Sequence, residues 1–127
     1  MGTLQTKIIG AGFLFLLIYL SGNWLSRAGK PYASGIVTVH KFISFAEVAL
    51  LYLVIRQYQQ TATLTTSEQT TAFVTAGLFV ITIISGGLLS TNKPMPAILL
   101  LVHKAAPYLT LVSTGVALNL LLTHPAG

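Results

Sequence analysis

A short sequence pattern occurs twice in the chain, and each copy has a histidine near its end. These histidines stand out because imidazole is a common metal ligand. The pattern runs Ser-Gly-x-x-Leu-Ser, then Lys-Pro, then His-Lys; it ends at His40-Lys41 and recurs ending at His103-Lys104. In both copies eight residues separate the proline from the histidine. Because the members of a repeat occupy equivalent places, we predict that the two imidazoles face each other and bind a metal.

The elements that must position these histidines are membrane helices. The chain has 127 residues, of which 54% are hydrophobic and 7% charged, whereas roughly a quarter of the residues of a soluble domain are charged. Four apolar stretches can be recognised, at 8–25, 32–55, 72–89 and 96–123. Each is near or above the roughly 18 to 20 residues that a spanning helix needs.

The sequence therefore predicts an all-α membrane protein, a four-helix transmembrane bundle made of two tandem helical-hairpin repeats. The repeats cover about 8–56 and 72–123 of a single transmembrane domain, 1–127. In an up-down-up-down bundle helices 2 and 4 lie on one diagonal, so the two histidines are expected at the same depth. Pro31 and Pro94 are expected in the first turns of helices 2 and 4.

The absence of cysteine excludes disulfides, thiolate zinc sites, iron–sulfur clusters and covalently attached haem. A metal must then be held by histidine, by glutamate or within a prebuilt cofactor. The net charge of +5 comes from basic residues spread along the chain, without the stripe that nucleic-acid binding requires. We therefore expect a lipid bilayer as the main partner and no nucleic acid.

Bis-histidine ligation of one haem b fits this pattern. His40 and His103 would supply the two axial ligands, and Gly22 and Gly86, near the ends of helices 1 and 3, would leave room for a flat macrocycle. Two alternatives stay open. Each histidine could ligate its own chlorophyll-type pigment in an accessory subunit, or the protein could be a cofactor-free helper or transporter that uses the histidines and Glu47 as a polar core. In the cofactor-free case each histidine would only hydrogen-bond a carbonyl or a Ser/Thr hydroxyl within the bundle.

Five basic residues lie at or near the two short loops: Arg27, Lys30, Lys41, Lys93 and Lys104. We expect them to reach the loop side and contact haem propionates, because a bare ammonium group within the hydrocarbon is unfavourable. The alternative is that they contact lipid phosphates and define topology. By the positive-inside tendency these loops face the cytoplasm and both termini lie outside, in what we expect to be a prokaryotic plasma membrane.

Glu47 is the one acidic residue within the four apolar stretches, and it follows His40 by seven residues. It therefore lies on nearly the same helical face as the histidine. It is a candidate proton relay, a quinone hydrogen-bond partner, or a neutral group bonded to a hydroxyl. Thr110 holds the equivalent place after His103, so the acid is not needed for ligation.

Two helices with one histidine each, and glycines on the helices between them, resemble the haem bundle of membrane b-type cytochromes. The resemblance is closest to the haem-binding core of the cytochrome b subunits of quinol-oxidising complexes. It implies that His40 and His103 ligate haem and that Gly22 and Gly86 admit the porphyrin. It also implies electron exchange with quinone or a redox protein at the surface.

Those larger cytochromes carry a second histidine about four turns along each ligand helix, where this chain has Val54 and Ala117. The resemblance therefore implies one haem here and not two. It assigns no catalytic residue, and it leaves open whether the chain is a quinone-linked oxidoreductase and whether it forms an oligomer.

Overall fold

A computed structural model describes residues 3–29, 31–60, 62–91 and 93–123. Over these ranges the chain forms four α-helices and no strand: α1 (Thr3–Ala28), α2 (Ser34–Gln59), α3 (Thr66–Leu89) and α4 (Ala97–Thr123). All four are long and apolar enough to cross a membrane. At 1.5 Å per residue each spans roughly 36 to 40 Å, more than the roughly 30 Å hydrocarbon core of a bilayer. The predicted all-α membrane protein with four spans is confirmed.

The end of α1 is set by Gly29. Its φ of 72° lies in the left-handed region, which a residue without a Cβ adopts at little cost. Its N–H donates to the carbonyl of Leu25 at 3.2 Å, so one of the last carbonyls of the helix is satisfied. The chain then turns towards α2.

Pro31 and Pro94 lie before α2 and α4. The prediction that they lie in the first turns of these helices is wrong. The helix α2 begins at Ser34 and α4 begins at Ala97, three residues after Pro31 and Pro94 respectively. In α4 the reason is a second proline, Pro96, because the residue before a proline is disfavoured in the α conformation.

A capping box starts α3. The Glu68 N–H donates to the Thr65 hydroxyl at 3.3 Å, and the Thr65 N–H donates to the Glu68 carboxylate at 2.8 Å. The buried carboxylate also accepts a hydrogen bond from the side chain of Tyr58, near the end of α2. The two bonds of the capping box satisfy two of the free backbone N–H groups at the helix start.

The chain divides into two units, and the first is Met1–Arg56. A Cβ on Gly10 of α1 would lie 3.4 Å from Cδ2 of Leu50 in α2. Nearer the loop, Ser21 Oγ is 2.7 Å from Nδ1 of His40. Residue numbers rise along α1 as they fall along α2, so the two helices form an antiparallel hairpin.

The second unit is Gln57–Gly127, and it contains the hairpin of α3 and α4. The hydroxyl groups of Thr75 and Ser113 are hydrogen-bonded to each other. Ten residues further along α3 and ten back along α4, Ser85 Oγ lies 3.0 Å from Nδ1 of His103. These two contacts hold the helices antiparallel at two levels.

Candidate functional site

The imidazole of His40 is held against the last turns of α1. Its Nδ1 lies 2.7 Å from Oγ of Ser21, whose hydroxyl also donates to the carbonyl of Ile18 at 3.1 Å. The ring is half-buried. The serine therefore fixes one ring nitrogen through a side chain of the neighbouring helix.

Gly22 lets α1 approach this ring. A Cβ at Gly22 would lie 3.2 Å from Cε1 of His40, closer than ordinary van der Waals contact between carbon atoms. A side chain on Gly22 would therefore press on the ring, and the glycine leaves the imidazole room to pack against α1.

The second hairpin holds His103 in the same way and with one more acceptor. Nδ1 of His103 lies 3.0 Å from Oγ of Ser85 and 3.1 Å from the carbonyl oxygen of Thr82. Ser85 is buried and donates its own hydroxyl proton to the same carbonyl at 3.0 Å. A Cβ on Gly86 would lie 2.7 Å from Cε1 of His103, so the helix backbone is even closer to the ring here.

Each predicted ligand is thus packed against the predicted glycine of its own hairpin. We expected Gly22 and Gly86 to make room for a macrocycle; the side chain beside each glycine is the imidazole of His40 or His103 respectively. The role of the glycines towards a porphyrin stays a prediction.

The sequence repeat marked the serines, and a carbonyl or a Ser/Thr hydroxyl was one expected partner of each histidine, but the sequence did not show which residues these are. Ser21 and Ser85 open the two copies of the pattern, and that recurrence was the available signal. The carbonyl of Thr82 could not be found in this way, because a backbone acceptor leaves no mark in the sequence.

Four of the five basic residues assigned to the loop side are exposed. Lys41 and Lys104 are exposed on α2 and α4, next to the histidines, and Arg27 and Lys93 are exposed near the two short loops. Lys30 lies outside the described residues. Their predicted contact with propionates stays a prediction.

Arg27 borders a shallow depression of about 480 Å³ on the last turns of α1. Asn23 and Trp24 line it as well, and Trp24 is 63% exposed. An exposed indole near the end of a membrane helix is typical of the membrane interface, where tryptophan is enriched.

Glu47 is fully buried, at 0% exposure. Neither of its carboxylate oxygens has a hydrogen-bond partner among the residues that the structure describes. Thr110, the equivalent residue of the second hairpin, is buried too, but its hydroxyl donates to the carbonyl of Ala106 at 2.8 Å. An ionised carboxylate without a partner is strongly disfavoured at such a place, so Glu47 is the polar group of α2 that most needs an explanation.

The donor atoms that the chain offers for a metal are few. In the described part of the chain no group of three or more His, Cys, Asp and Glu side chains could hold a metal ion. A cofactor is one source of further ligands for a metal bound by His40 or His103. A porphyrin supplies four equatorial nitrogens and leaves two axial positions for imidazole.

Comparison of the chain with protein-family models, with curated proteins and with solved structures finds no match. The likeness to b-type cytochromes therefore remains one of helix number and residue placement. What the chain does has to be inferred from its own histidine, serine and glycine contacts.

Proposed function

We propose that the chain is a small membrane-embedded b-type cytochrome, in which His40 and His103 are the axial ligands of one haem b. The observation that carries the proposal is that both hairpins hold the histidine by the same two contacts, a serine hydroxyl at Nδ1 and a glycine against the ring. Haem, when bound, supplies a reversible one-electron Fe(III)/Fe(II) couple.

The contact at Nδ1 is of the kind that a metal-bound histidine makes. A metal-bound imidazole uses one nitrogen for the metal and donates its other N–H to an oxygen acceptor, which fixes the ring orientation. Ser21 and Ser85 place a hydroxyl oxygen at hydrogen-bond distance from Nδ1; we assign that oxygen as the acceptor, which leaves Nε2 for iron. Half-buried rings that are fixed in this way suit electron transfer, because the ligands need little rearrangement between the two oxidation states.

The basic residues of the loop side would bind the haem carboxylates in this proposal. Lys41 and Lys104 adjoin the ligands, and Arg27 and Lys93 lie towards the loops; Lys30 is assigned to the same group from the sequence. Charge-assisted bonds from lysine and arginine to carboxylates are the strongest that these side chains make. The same residues would place the loop side of the protein in the cytoplasm.

The proposed electron partner is a quinone in the membrane or a redox protein at its surface. Four apolar helices indicate contact with the bilayer, where quinones dissolve, and the exposed basic residues would suit an anionic redox protein. We place Glu47 in this scheme as a proton relay that offsets the charge of an added electron. A prokaryotic plasma membrane is the proposed location.

A second candidate is a protein with one chlorophyll-type macrocycle on each histidine. It is favoured by one feature, namely that each hairpin contains a full set of histidine, serine and glycine within its own unit. The two candidates differ in stoichiometry, since one macrocycle per chain requires both histidines and two per chain require one each.

The deciding experiment is a reduced-minus-oxidised spectrum of the full chain in mild detergent, after expression with ample haem. A low-spin haem b with sharp α and β bands and one haem per chain is expected. Red-shifted bands or two macrocycles per chain would favour the pigment protein. A chain that takes up no macrocycle would favour a cofactor-free helper.

Single substitutions then test the ligands. His40→Ala and His103→Ala should each abolish the low-spin spectrum, because each removes one axial nitrogen. His124→Ala is the matched control, since it removes the third histidine of the chain, which lies outside both copies of the pattern. A low-spin spectrum that survives either ligand substitution would overturn the assignment.

A further inference from the structure

We infer that Ser21 and Ser85 are positioning residues that keep the proton of each neutral imidazole on Nδ1 and its lone pair on Nε2. The inference rests on the proposed function only where it concerns iron. The protonation pattern of the rings is a property of the protein itself, and it can be measured without haem.

The second hairpin gives the stronger evidence. A carbonyl oxygen can only accept, and the oxygen of Thr82 lies 3.1 Å from Nδ1 of His103. Had Nδ1 carried a lone pair, two acceptors would face each other at that distance. Nδ1 must therefore be the donor.

The hydroxyl of Ser85 agrees with this direction. Its single proton is directed to the carbonyl of Thr82 at 3.0 Å, so the oxygen presents a lone pair to Nδ1 of His103 at 3.0 Å. One N–H of the imidazole is then shared between two acceptors. In a neutral ring the remaining nitrogen, Nε2, has to carry the lone pair.

The first hairpin repeats the arrangement with other residues. By analogy with Ser85 we assign the hydroxyl proton of Ser21 to the carbonyl of Ile18 at 3.1 Å, which leaves an oxygen lone pair 2.7 Å from Nδ1 of His40. Both serines thus bond a carbonyl three residues earlier in their own helix and accept from the histidine of the next helix. The ring nitrogen with the lone pair is therefore the same in both hairpins.

Gly22 and Gly86 make this geometry sterically possible. A Cβ on Gly22 would lie 3.2 Å from Cε1 of His40, and a Cβ on Gly86 would lie 2.7 Å from Cε1 of His103. Cε1 is the ring carbon next to Nδ1. The glycine therefore admits the ring, and the serine before it orients the ring. This gives a physical reason for the Ser-Gly pair that opens each copy of the sequence pattern.

The test is solid-state NMR on the full chain, labelled with ¹⁵N at histidine and placed in phospholipid bilayers without haem. A His124→Gln background leaves two histidines to observe. At neutral pH we expect Nδ1 to be protonated and Nε2 to be unprotonated in both rings. Rings protonated mainly at Nε2 would overturn the inference, whatever the protein binds.

Three variants assign the effect to the serines. Ser21→Ala should increase the Nε2-protonated fraction of His40 several-fold, whereas Ser85→Ala should change His103 less, because the Thr82 carbonyl remains. Ser44→Ala is the matched control, since the Ser44 hydroxyl bonds the backbone carbonyl of His40 at 2.8 Å and not the ring. An unchanged His40 signal in Ser21→Ala would refute the role of that serine.

Haem-loaded protein separates this inference from the proposed function. Removing an acceptor at Nδ1 makes the axial imidazole less basic, so Ser21→Ala should raise the midpoint potential while Ser44→Ala leaves it in place. If the NMR result is as expected but no haem binds, the proposed function fails and the inference stands. If haem binds but the potential and the tautomers do not respond to Ser21→Ala, the inference fails alone.

Discussion

Gly86 and His103 are so closely packed that a Cβ on the glycine would lie 2.7 Å from Cε1 of the ring. The same helix also fixes the imidazole by hydrogen bonds, because Nδ1 is bonded to Ser85 and to the Thr82 carbonyl. The ring cannot give way without losing those bonds. The glycine therefore determines whether the histidine can keep its place.

Gly86→Ala should accordingly displace the ring of His103. We expect about 1 to 3 kcal/mol of destabilisation, as for other overpacked positions, and a clear loss of bound haem. Gly22→Ala should have a smaller effect, because the added Cβ would lie 3.2 Å from Cε1 of His40. The measurements are thermal unfolding in detergent and the ratio of haem to protein.

Gly87→Ala is the matched control for this prediction. It lies in the same turn of α3, and a Cβ there would meet no atom within 4 Å. The substitution should be neutral or stabilise by about 0.5 to 1 kcal/mol, since alanine favours a helix over glycine. Equal effects of the two substitutions would show that the contact with His103 does not matter.

The helices could be predicted from the sequence, and their packing partners could not. Apolar stretches of spanning length mark a membrane helix because the bilayer demands both length and composition. The contact between Gly86 and His103 depends on how two helices are rotated about their axes. The repeat indicated which residues recur, but helix rotation is set by packing and leaves a weaker pattern.

The starts of α3 and α4 also differ from what the sequence predicts. The apolar stretch expected for the third helix begins at residue 72, whereas α3 begins at Thr66, because the capping box of Thr65 and Glu68 starts the helix earlier. Pro94 was expected in the first turn of α4, but the helix begins three residues later, at Ala97. There the local signal of one proline was overridden by the next, Pro96.

The capping box makes a prediction that does not involve the histidines. Thr65→Ala should destabilise the second hairpin by about 1 kcal/mol, because the N–H of Glu68 loses its acceptor. Ser67→Ala is the control, since Ser67 is exposed in the same turn. Hydrogen exchange at the amide of Glu68 is the measurement. Protection that is unchanged in Thr65→Ala would contradict the role of the cap.

The hydroxyl groups of Thr75 and Ser113 link α3 to α4. This contact lies ten residues from the contact of Ser85 with His103. A double-mutant cycle with Thr75→Val and Ser113→Ala should give a coupling of about 0.6 kcal/mol, the average for hydrogen bonds between membrane helices. Unfolding of the full chain in detergent measures it. The pair Thr71→Val and Ser113→Ala serves as control, because Thr71 is one turn away and bonds the Ser67 carbonyl of its own helix. A coupling of zero between Thr75 and Ser113 would mean that their hydroxyl groups do not stabilise the hairpin.

The last prediction concerns Glu47, which is fully buried and lies one heptad from His40, about 10 Å along α2. An electron added to a haem on His40 would make a proton on this carboxyl more favourable, since opposite charges attract strongly at low dielectric. Reduction would then be easier at low pH, and the midpoint potential should fall as pH rises, by at most about 59 mV per unit. Glu47→Gln should keep the haem spectrum and flatten that slope, whereas Thr110→Val, the substitution at the equivalent buried position, should leave it as in the parent protein. Redox titrations between pH 5 and 9 give the slopes, and a slope that is the same in Glu47→Gln and the parent would remove Glu47 from proton transfer.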